Sequence, residues 1–262
     1  MKRRSTTAVA LTVAGSDSGG GAGIQADLKT FHAHGVFGTS AITCITAQNP
    51  DRISAVQAIE PRIVAEQLAR VFEAFPVVAA KTGMLYDVAI IETVARAFAR
   101  RRFDRLVVDP VMVASSGASL LKKDAIEALV TKLFPHAAVV TPNLAEVEVL
   151  AQRSIRTLDE LRTAARWLTE KYGVPFLAKG GHLPGAKQAV DVLFDGKRFR
   201  EYRAAMVPRV KTHGTGCTFS AAIAANLALG HGLTESVARA KRFVTKAIRD
   251  SLIVGKYPAL RI

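Results

Sequence analysis

Short runs of β-branched and apolar residues alternate with longer segments of helical periodicity along most of this chain. Strands buried in a parallel sheet are near-continuous apolar runs, and a crossover helix separates consecutive parallel strands. The alternation therefore predicts βα units around a largely parallel sheet, an α/β fold. We expect strands over 8–14, 39–46, 77–81, 106–108, 138–141 and 176–179, helices over 24–34, 61–75, 88–100, 125–133, 158–172, 219–229 and 236–253, and a β-hairpin of 190–194 and 198–202.

The length and the charge of the chain indicate how many domains it forms and which class of partner it binds. With 262 residues and no Pro/Ser/Gly-rich linker, the sequence predicts one domain over 1–262. Its 36 Lys and Arg residues exceed its 22 Asp and Glu residues, which gives a net charge of +14. The basic residues are scattered among acids without interleaved aromatics, so we do not expect a nucleic-acid partner. A protein that handles polyphosphates is the simpler interpretation.

Cysteine usage and hydropathy predict the compartment. Cys44 and Cys217 lie far apart and give neither a disulfide framework nor a metal-ligand spacing, so a reducing cytoplasm fits best. Lys2-Arg3-Arg4 and the apolar run 8–14 resemble a short signal peptide, but they lead directly into the glycine-rich 15–23. We interpret 8–14 as the first buried strand. No run approaches the roughly 20 apolar residues of a membrane span, so no membrane association is expected.

A glycine-rich segment, Thr212-His213-Gly214-Thr215-Gly216-Cys217-Thr218, opens the predicted helix at 219. Glycines at a helix start leave backbone amides accessible, and these amides and the helix dipole favour a bound phosphate. Cys217 falls in the first turn, where the same field is expected to lower the pKa of its thiol. An ordinary glycine-rich helix entry is the structural alternative, because a lone GxG is weakly specific.

Polar residues follow most of the predicted strands. Ligands of open α/β sheets bind beyond the carboxyl ends of the strands, so these residues are candidates for one site. Carboxylates suit Mg²⁺, lysine suits phosphates, and an amide-rich turn suits the charge that develops in phosphoryl transfer. Singly, each could instead end a strand, cap a helix or lie in solvent. The candidate residues that follow the predicted strands are Asp17, Gln48, Asn49, Lys81 to Met84, Asp109 to Met112, Thr141 to Asn143 with Glu146, and Lys179 to Gly181.

The common nucleotide-binding fingerprints GxxxxGK[ST] and GxGxxG are absent, so an ATP-using enzyme of this kind needs another design. The chain does contain the strings Gly-Ile-Gln-Ala-Asp and His-Gly-Thr-Gly-Cys, within a series of motifs that occur in order at 14–17, 20–30, 47–49, 81–85, 109–112, 141–143, 179–182 and 213–217. In these motifs, from about 11 to about 245, the chain resembles the hydroxymethylpyrimidine/phosphomethylpyrimidine kinase family of the ribokinase-like superfamily. The two strings are specific to that group.

The resemblance implies a ribokinase-like three-layer α/β/α sandwich and two successive ATP-dependent phosphorylations in thiamine diphosphate biosynthesis. Hydroxymethylpyrimidine is converted to its monophosphate and then to the pyrophosphate. By the same resemblance, Asp27 and Gln48 hold the aminopyrimidine, while Thr46, Met84 and Val111 flank its ring. A carboxylate and a carboxamide suit a ring nitrogen and an amino group. A thioether suits a flat ring, although Met84 could also be a core residue.

The resemblance also assigns the phosphoryl-transfer chemistry. Gly214, Thr215, Gly216 and Cys217 bind the transferring phosphoryl group, and Lys179 faces nucleotide phosphate. Cys217 occupies the place of an aspartate base in many superfamily members, so it either accepts the substrate's proton or mainly shapes the site. His213 contacts phosphate in the second step or orients the turn. The implied nucleotide contacts are Asp109, Asn143, Lys179 and Thr215, and the implied Mg²⁺ ligands, directly or through water, are Glu146, Asn143 and Asp109.

Other functions are also compatible with the sequence. A pyridoxal kinase of vitamin B6 salvage would use much the same scaffold, and Gln48 and Met84 favour the pyrimidine without excluding it. A nucleotide or pyrimidine sensor and a basic nucleic-acid binder are non-enzyme alternatives, against which the set of phosphoryl-transfer groups argues. Ser115 stands where some relatives carry lysine, which puts a phosphate contact there in doubt. The family resemblance also implies a homodimer.

Overall fold

A computed structural model describes residues 7–112, 121, 123–207 and 213–262, so Ser115 and Thr212 lie outside the described residues. The strands are β1 (Val9–Asp17), β2 (Phe37–Gln48), β3 (Ile53–Ala58), β4 (Val77–Thr82), β5 (Leu106–Val108), β6 (Val139–Val140), β7 (Phe176–Gly180), β8 (Gln188–Phe194), β9 (Phe199–Ala205), β10 (Leu252–Val254) and β11 (Tyr257–Ala259). The α-helices are α1 (Gly23–Ala33), α2 (Pro61–Ala74), α3 (Val88–Ala99), α4 (Lys123–Ala128), α5 (Leu144–Ala151), α6 (Leu158–Tyr172), α7 (Thr215–Ala228) and α8 (Leu233–Arg249). A π-helical segment (Leu129–Leu133) and a 3-10 turn (Phe134–His136) continue α4.

One sheet runs through the described residues in the order β3-β2-β1-β4-β5-β6-β7-β8-β9. β1 pairs in parallel with both β2 and β4, and parallel pairing continues through β5, β6 and β7. β3, β8 and β9 are antiparallel additions at the two edges. The largely parallel sheet that the alternation predicts is therefore confirmed.

Successive residues of the central strands face opposite sides of the sheet, and helices cover both sides. Leu11 of β1 and Val108 of β5 belong to one apolar cluster, while their neighbours Ala10 and Val107 belong to the other. Helices α2 to α6 complete the first cluster, and α1, α7 and α8 complete the second. Because both faces of the sheet are covered, the fold is the predicted three-layer α/β/α sandwich.

The structure differs from the sequence predictions at segments that depend on distant partners. β3 was missed because it is an edge strand of mixed exposure that pairs antiparallel with β2. The last helix occupies 233–249 instead of 236–253, since β10 and β11 form a hairpin whose turn contains Gly255 at φ +61°. β1 continues to Asp17 beyond the predicted end at 14. α5 (Leu144–Ala151) was not among the predicted helices, and its N-cap is Asn143, for which helix capping was the structural alternative.

Candidate active site

The carboxyl ends of the parallel strands meet the start of α7 at one edge of the sheet. From β1 the chain passes through α1 to β2, and it later returns to β4 on the opposite side of β1. Connections that diverge from neighbouring strands in this way leave a crevice at their carboxyl ends. The residues that follow these strands therefore lie along this edge of the sheet, beside the crevice.

The glycine turn, His213 to Cys217, packs against the glycine loop, Gly19 to Ala22, that connects β1 to α1. Gly214 is the N-cap of α7 and has φ +82°, a left-handed conformation that side chains rarely adopt. A Cβ on Gly214 would lie 1.8 Å from the Gly21 carbonyl oxygen. Glycine is therefore required at 214 for both its backbone conformation and the close approach of the two segments.

Lys179 and Asp109 form an ion pair beside the glycine turn. The Lys179 ammonium donates to Asp109 Oδ1 at 3.0 Å, and the Ser220 hydroxyl of α7 donates to Asp109 Oδ2 at 3.1 Å. Burial opposes the charge of Lys179, but the carboxylates of Asp109 and Glu146 outweigh it and hold the pKa of Lys179 above its ordinary value. A Cβ on Gly216 would lie 3.3 Å from Lys179 Nζ. A permanently charged ammonium thus borders the first turn of α7.

Glu146 and Asn143 form a capping box at the start of α5. The Asn143 side chain accepts from the Glu146 N–H, and Glu146 accepts from the backbone N–H groups of Asn143, at 2.8 Å, and Met112, at 3.0 Å. Burial, reinforced by Asp109 and opposed by Lys179, raises the pKa of Glu146 to about 7. Within the described part of the chain, no three His, Cys, Asp or Glu side chains cluster closely enough to hold a metal ion unaided.

Asp27 lies in a fully buried ion pair with Lys81. Its carboxylate accepts from Lys81 Nζ at 2.9 and 3.1 Å and from the Thr12 hydroxyl at 2.6 Å. Burial favours a neutral amine, but Asp27 outweighs it and keeps the pKa of Lys81 above its ordinary value. The Asp27 side chain has no exposed surface. A pyrimidine could reach this carboxylate only if the residues that cover it moved, so the contact of Asp27 with the substrate remains a prediction.

The expectation for the Cys217 thiol was wrong in direction. Burial, together with the nearby Asp27 and Asp109 carboxylates, raises the pKa of Cys217 to about 11, although Lys81 acts in the opposite direction. The helix start was expected to lower it. The sequence did not indicate that two carboxylates from distant segments lie close to this sulfur. At neutral pH, Cys217 is a thiol rather than a thiolate.

Three residues that the sequence indicated separately, Asp17, Gln48 and His213, form a polar cluster that joins the glycine turn to the ends of β1 and β2. The Asp17 carboxylate accepts from the backbone N–H groups of Gly19 at 2.8 Å and Ala22 at 2.8 Å. It also lies 3.1 Å from His213 Nε2, which in turn lies 3.0 Å from Gln48 Nε2. An aspartate that directly precedes a glycine-rich loop is a local signal for such a turn. Its contact with His213 has no local signal.

The residues predicted to flank the pyrimidine ring occupy the ends of β2, β4 and β5. Thr46 is buried and lies 3.3 Å from Gln48 Oε1. Met84 is half-buried, and a Cβ on Gly15 of β1 would lie 3.8 Å from Met84 Cβ. Val111 has φ +46°, a strained conformation for a β-branched residue. Backbone strain of this kind is most often found at ligand sites, which supports a binding role for the segment after β5.

Comparison with known proteins identifies relatives of this chain. The family model for phosphomethylpyrimidine kinase matches residues 17–260. The hydroxymethylpyrimidine/phosphomethylpyrimidine kinase of Rhizobium meliloti is 49% identical over 253 residues, which cover 95% of this chain and 94% of the relative. The thiamine biosynthesis bifunctional protein ThiED of Geobacter sulfurreducens is 47% identical over 94% of this chain, which spans 50% of that longer protein.

A solved structure supports the fold. An ADP complex of Bacillus subtilis pyridoxal kinase superposes with a TM-score of 0.89 at 38% identity and covers 97% of both chains. The kinase class and the ribokinase-like fold predicted from the sequence are confirmed. The family model and the near full-length relative at 49% identity together show that this chain belongs to the phosphomethylpyrimidine kinase family.

Proposed function

We propose that this protein transfers the γ-phosphoryl group of ATP first to hydroxymethylpyrimidine and then to the resulting monophosphate, in thiamine diphosphate biosynthesis. The observation that carries the proposal is the approach of the glycine turn to the Lys179–Asp109 pair, since a Cβ on Gly216 would lie 3.3 Å from Lys179 Nζ. Phosphoryl transfer depends mainly on positioning and on stabilising charge, and a helix start beside a partly buried ammonium supplies both. The names of the curated relatives support the pyrimidine acceptors.

The phosphoryl group is expected to lie over the first turn of α7. The amides of Gly214, Thr215 and Gly216 stabilise its charge, and Lys179 neutralises nucleotide phosphate. Because its pKa is about 11, Cys217 shapes the site instead of acting as a base. A loose transition state needs little help from a base, so a neutral thiol is compatible with turnover.

The side chains near Lys179 carry the type of ligand atom that Mg²⁺ prefers. Asp109, Glu146 and Asn143 offer oxygen atoms, and Mg²⁺ is usually held by one or two carboxylates, water molecules and substrate phosphates rather than by a protein cage. The absence of a group of three acidic or metal-binding side chains among the described residues is consistent with such a site. When bound, the ion would supply charge neutralisation between the nucleotide phosphates.

At the other end of the site, we assign the aminopyrimidine to Gln48, with Thr46, Met84 and Val111 against the ring. The half-buried Gln48 carboxamide offers both a donor and an acceptor. His213, the first residue of the glycine turn, lies 3.0 Å from Gln48 Nε2, where it is placed to contact the substrate's phosphate in the second step.

The domain organisation, the location and the assembly of the enzyme are also proposals. We infer one domain over 1–262, a cytoplasmic location and a homodimer, the last on family resemblance. None of the helices in the described residues has the length and apolarity to cross a membrane. ATP as the donor is supported by the ADP complex of the B. subtilis structural neighbour.

Pyridoxal kinase activity is the second candidate, favoured by the TM-score of 0.89 with the B. subtilis pyridoxal kinase. The two are separated by incubating purified protein with Mg-ATP and equal concentrations of hydroxymethylpyrimidine and pyridoxal, with mass spectrometry of the products. Pyrimidine mono- and pyrophosphate ahead of pyridoxal phosphate are expected. Pyridoxal phosphate alone would move the activity to vitamin B6 salvage, and no product would contradict both.

A further inference from the structure

The hydrogen bonds around Gln48 contain two conflicts in proton placement. His213 Nε2 lies 3.1 Å from Asp17 Oδ2 and 3.0 Å from Gln48 Nε2, so this one nitrogen would have to donate to the carboxylate and accept from the amide. Thr46 Oγ1 lies 2.9 Å from the Ser16 carbonyl oxygen and 3.3 Å from Gln48 Oε1, so its single proton faces two acceptors. The first arrangement is impossible for a single ring nitrogen, and the second makes one hydroxyl proton serve two oxygens.

One change of orientation removes the conflict at His213 and leaves the Thr46 proton with one acceptor. The oxygen and nitrogen of a glutamine side chain are assigned from the hydrogen-bond network, so the carboxamide can be turned by 180°. Its oxygen then shares the His213 Nε2–H with Asp17 Oδ2 in a three-centre hydrogen bond, and its NH₂ group donates to Thr46 Oγ1. The Thr46 proton is left for the Ser16 carbonyl oxygen. Every contact of the cluster then joins a donor to an acceptor.

Asp17 is the group that decides this orientation. An ionised carboxylate only accepts, so His213 Nε2 must carry a proton to bond with it. Burial alone would raise the pKa of Asp17, but His213 and the N–H groups of Gly19 and Ala22 hold it below its ordinary value. The loop also holds the ring in place, because a Cβ on Gly21 would lie 3.1 Å from His213 Cδ2.

We propose that Asp17 is a specificity-determining positioning residue. Through the Nε2–H tautomer of His213, it sets the order in which the Gln48 carboxamide presents its donor and its acceptor to the substrate. The inference rests on the proposed function, in which Gln48 binds the pyrimidine. With two of its hydrogen-bonding positions occupied by His213 and Thr46, Gln48 presents one N–H and one lone pair in a defined order. That edge selects a heteroaromatic ring with an adjacent acceptor nitrogen and amino donor, and it disfavours the reversed order.

The tautomer is tested without any substrate. ¹⁵N NMR of histidine-labelled protein reports the protonation of each imidazole nitrogen, and a His213→Ala variant identifies the His213 signals among the six histidines. We expect Nε2 to carry a proton in the wild type. An unprotonated Nε2 would overturn the proposal. This measurement stands even if the protein proves to phosphorylate a different acceptor.

The consequence for specificity is tested with two substrates. The oxo analogue of hydroxymethylpyrimidine has a carbonyl in place of the amino group and a protonated adjacent ring nitrogen, which reverses donor and acceptor. We expect the kcat/KM preference for the amino compound to fall about tenfold or more in Asp17→Asn, mainly through KM. Unchanged preference in a folded Asp17→Asn protein would overturn the proposal.

Two further variants keep this test interpretable. His213→Ala leaves the Asp17 contacts to the glycine loop in place, so it should show the same loss of preference even if Asp17→Asn fails to fold. A preference that survives in His213→Ala would also overturn the proposal. Asp195→Asn is the matched control, because Asp195 accepts from the Lys197 and Arg198 N–H groups in the β8–β9 turn, away from the site. If the wild type phosphorylates neither compound, it is the proposed function that fails.

Discussion

Replacing Gly214 by alanine tests the close approach of the glycine turn to the glycine loop. The added Cβ would lie 1.8 Å from the Gly21 carbonyl oxygen, whereas real Cβ contacts do not fall below 3.0 Å. The two backbone segments must therefore separate by about 1 Å. The neighbouring atom is backbone rather than the end of a flexible side chain, so the displacement cannot be absorbed by a change of rotamer.

A displacement of about 1 Å in a catalytic segment costs on the order of 10²-fold in rate. We therefore expect Gly214→Ala to lower kcat/KM for hydroxymethylpyrimidine by about that factor, and Gly214→Val to abolish turnover. The left-handed φ of +82° adds about 1–2 kcal/mol of destabilisation for a residue with a Cβ. The assays are steady-state kinetics with Mg-ATP and urea unfolding of the same preparations.

Gly230→Ala is the matched control. Gly230 has φ +87° at the end of α7, but no atom lies within 4 Å of its added Cβ. It should lose about 1–2 kcal/mol of unfolding free energy with kcat/KM close to the wild type. The reasoning is refuted if Gly214→Ala keeps more than about a tenth of wild-type kcat/KM, or if Gly230→Ala loses as much activity.

Three further predictions concern ionisable side chains. Cys217→Ser should keep a measurable fraction of activity in kinetic assays, because a thiol with a pKa of about 11 is not a base near neutral pH; an inactive variant that still binds both substrates would contradict this. Lys81→Met should cost about 3–5 kcal/mol in urea unfolding because it leaves Asp27 as an unpaired buried charge, and adding Asp27→Asn should recover much of the loss. The folded-state pKa of Glu146, about 7, lies above its ordinary 4.5, so its contribution to stability is present below pH 4.5 and is lost as the pH rises to about 7. The unfolding free energy of the wild type relative to Glu146→Gln should fall over that range, and a difference that does not change with pH would count against the shift.

The central fold was predictable because its signals are local. Strands such as β4 and β5 are short apolar runs, and helices such as α3 and α6 repeat apolar residues at helical spacing. The capping box of Asn143 and Glu146 lies within four adjacent residues, which is why capping was a local alternative for Asn143 although α5 itself was not predicted. β3 and the β10–β11 hairpin were missed because their strands depend on a partner more than on an apolar pattern.

The candidate site also combines features that the local sequence determines with contacts that depend on the fold. The sequence by itself determined which residues end the strands, that α7 starts with glycines, and which family motifs occur. Only the tertiary structure decided which of these groups touch: Lys179 meets Asp109 across 70 residues of sequence, and His213 meets Asp17 across 196. It also decided how far the Cys217 thiol is removed from solvent, and this burial, together with the carboxylates of Asp27 and Asp109, reversed the expected direction of its pKa shift. The physical reason is that strand and helix periods are properties of neighbouring residues, whereas the sheet order places β4 beside β1 and brings together charges that no sequence spacing relates.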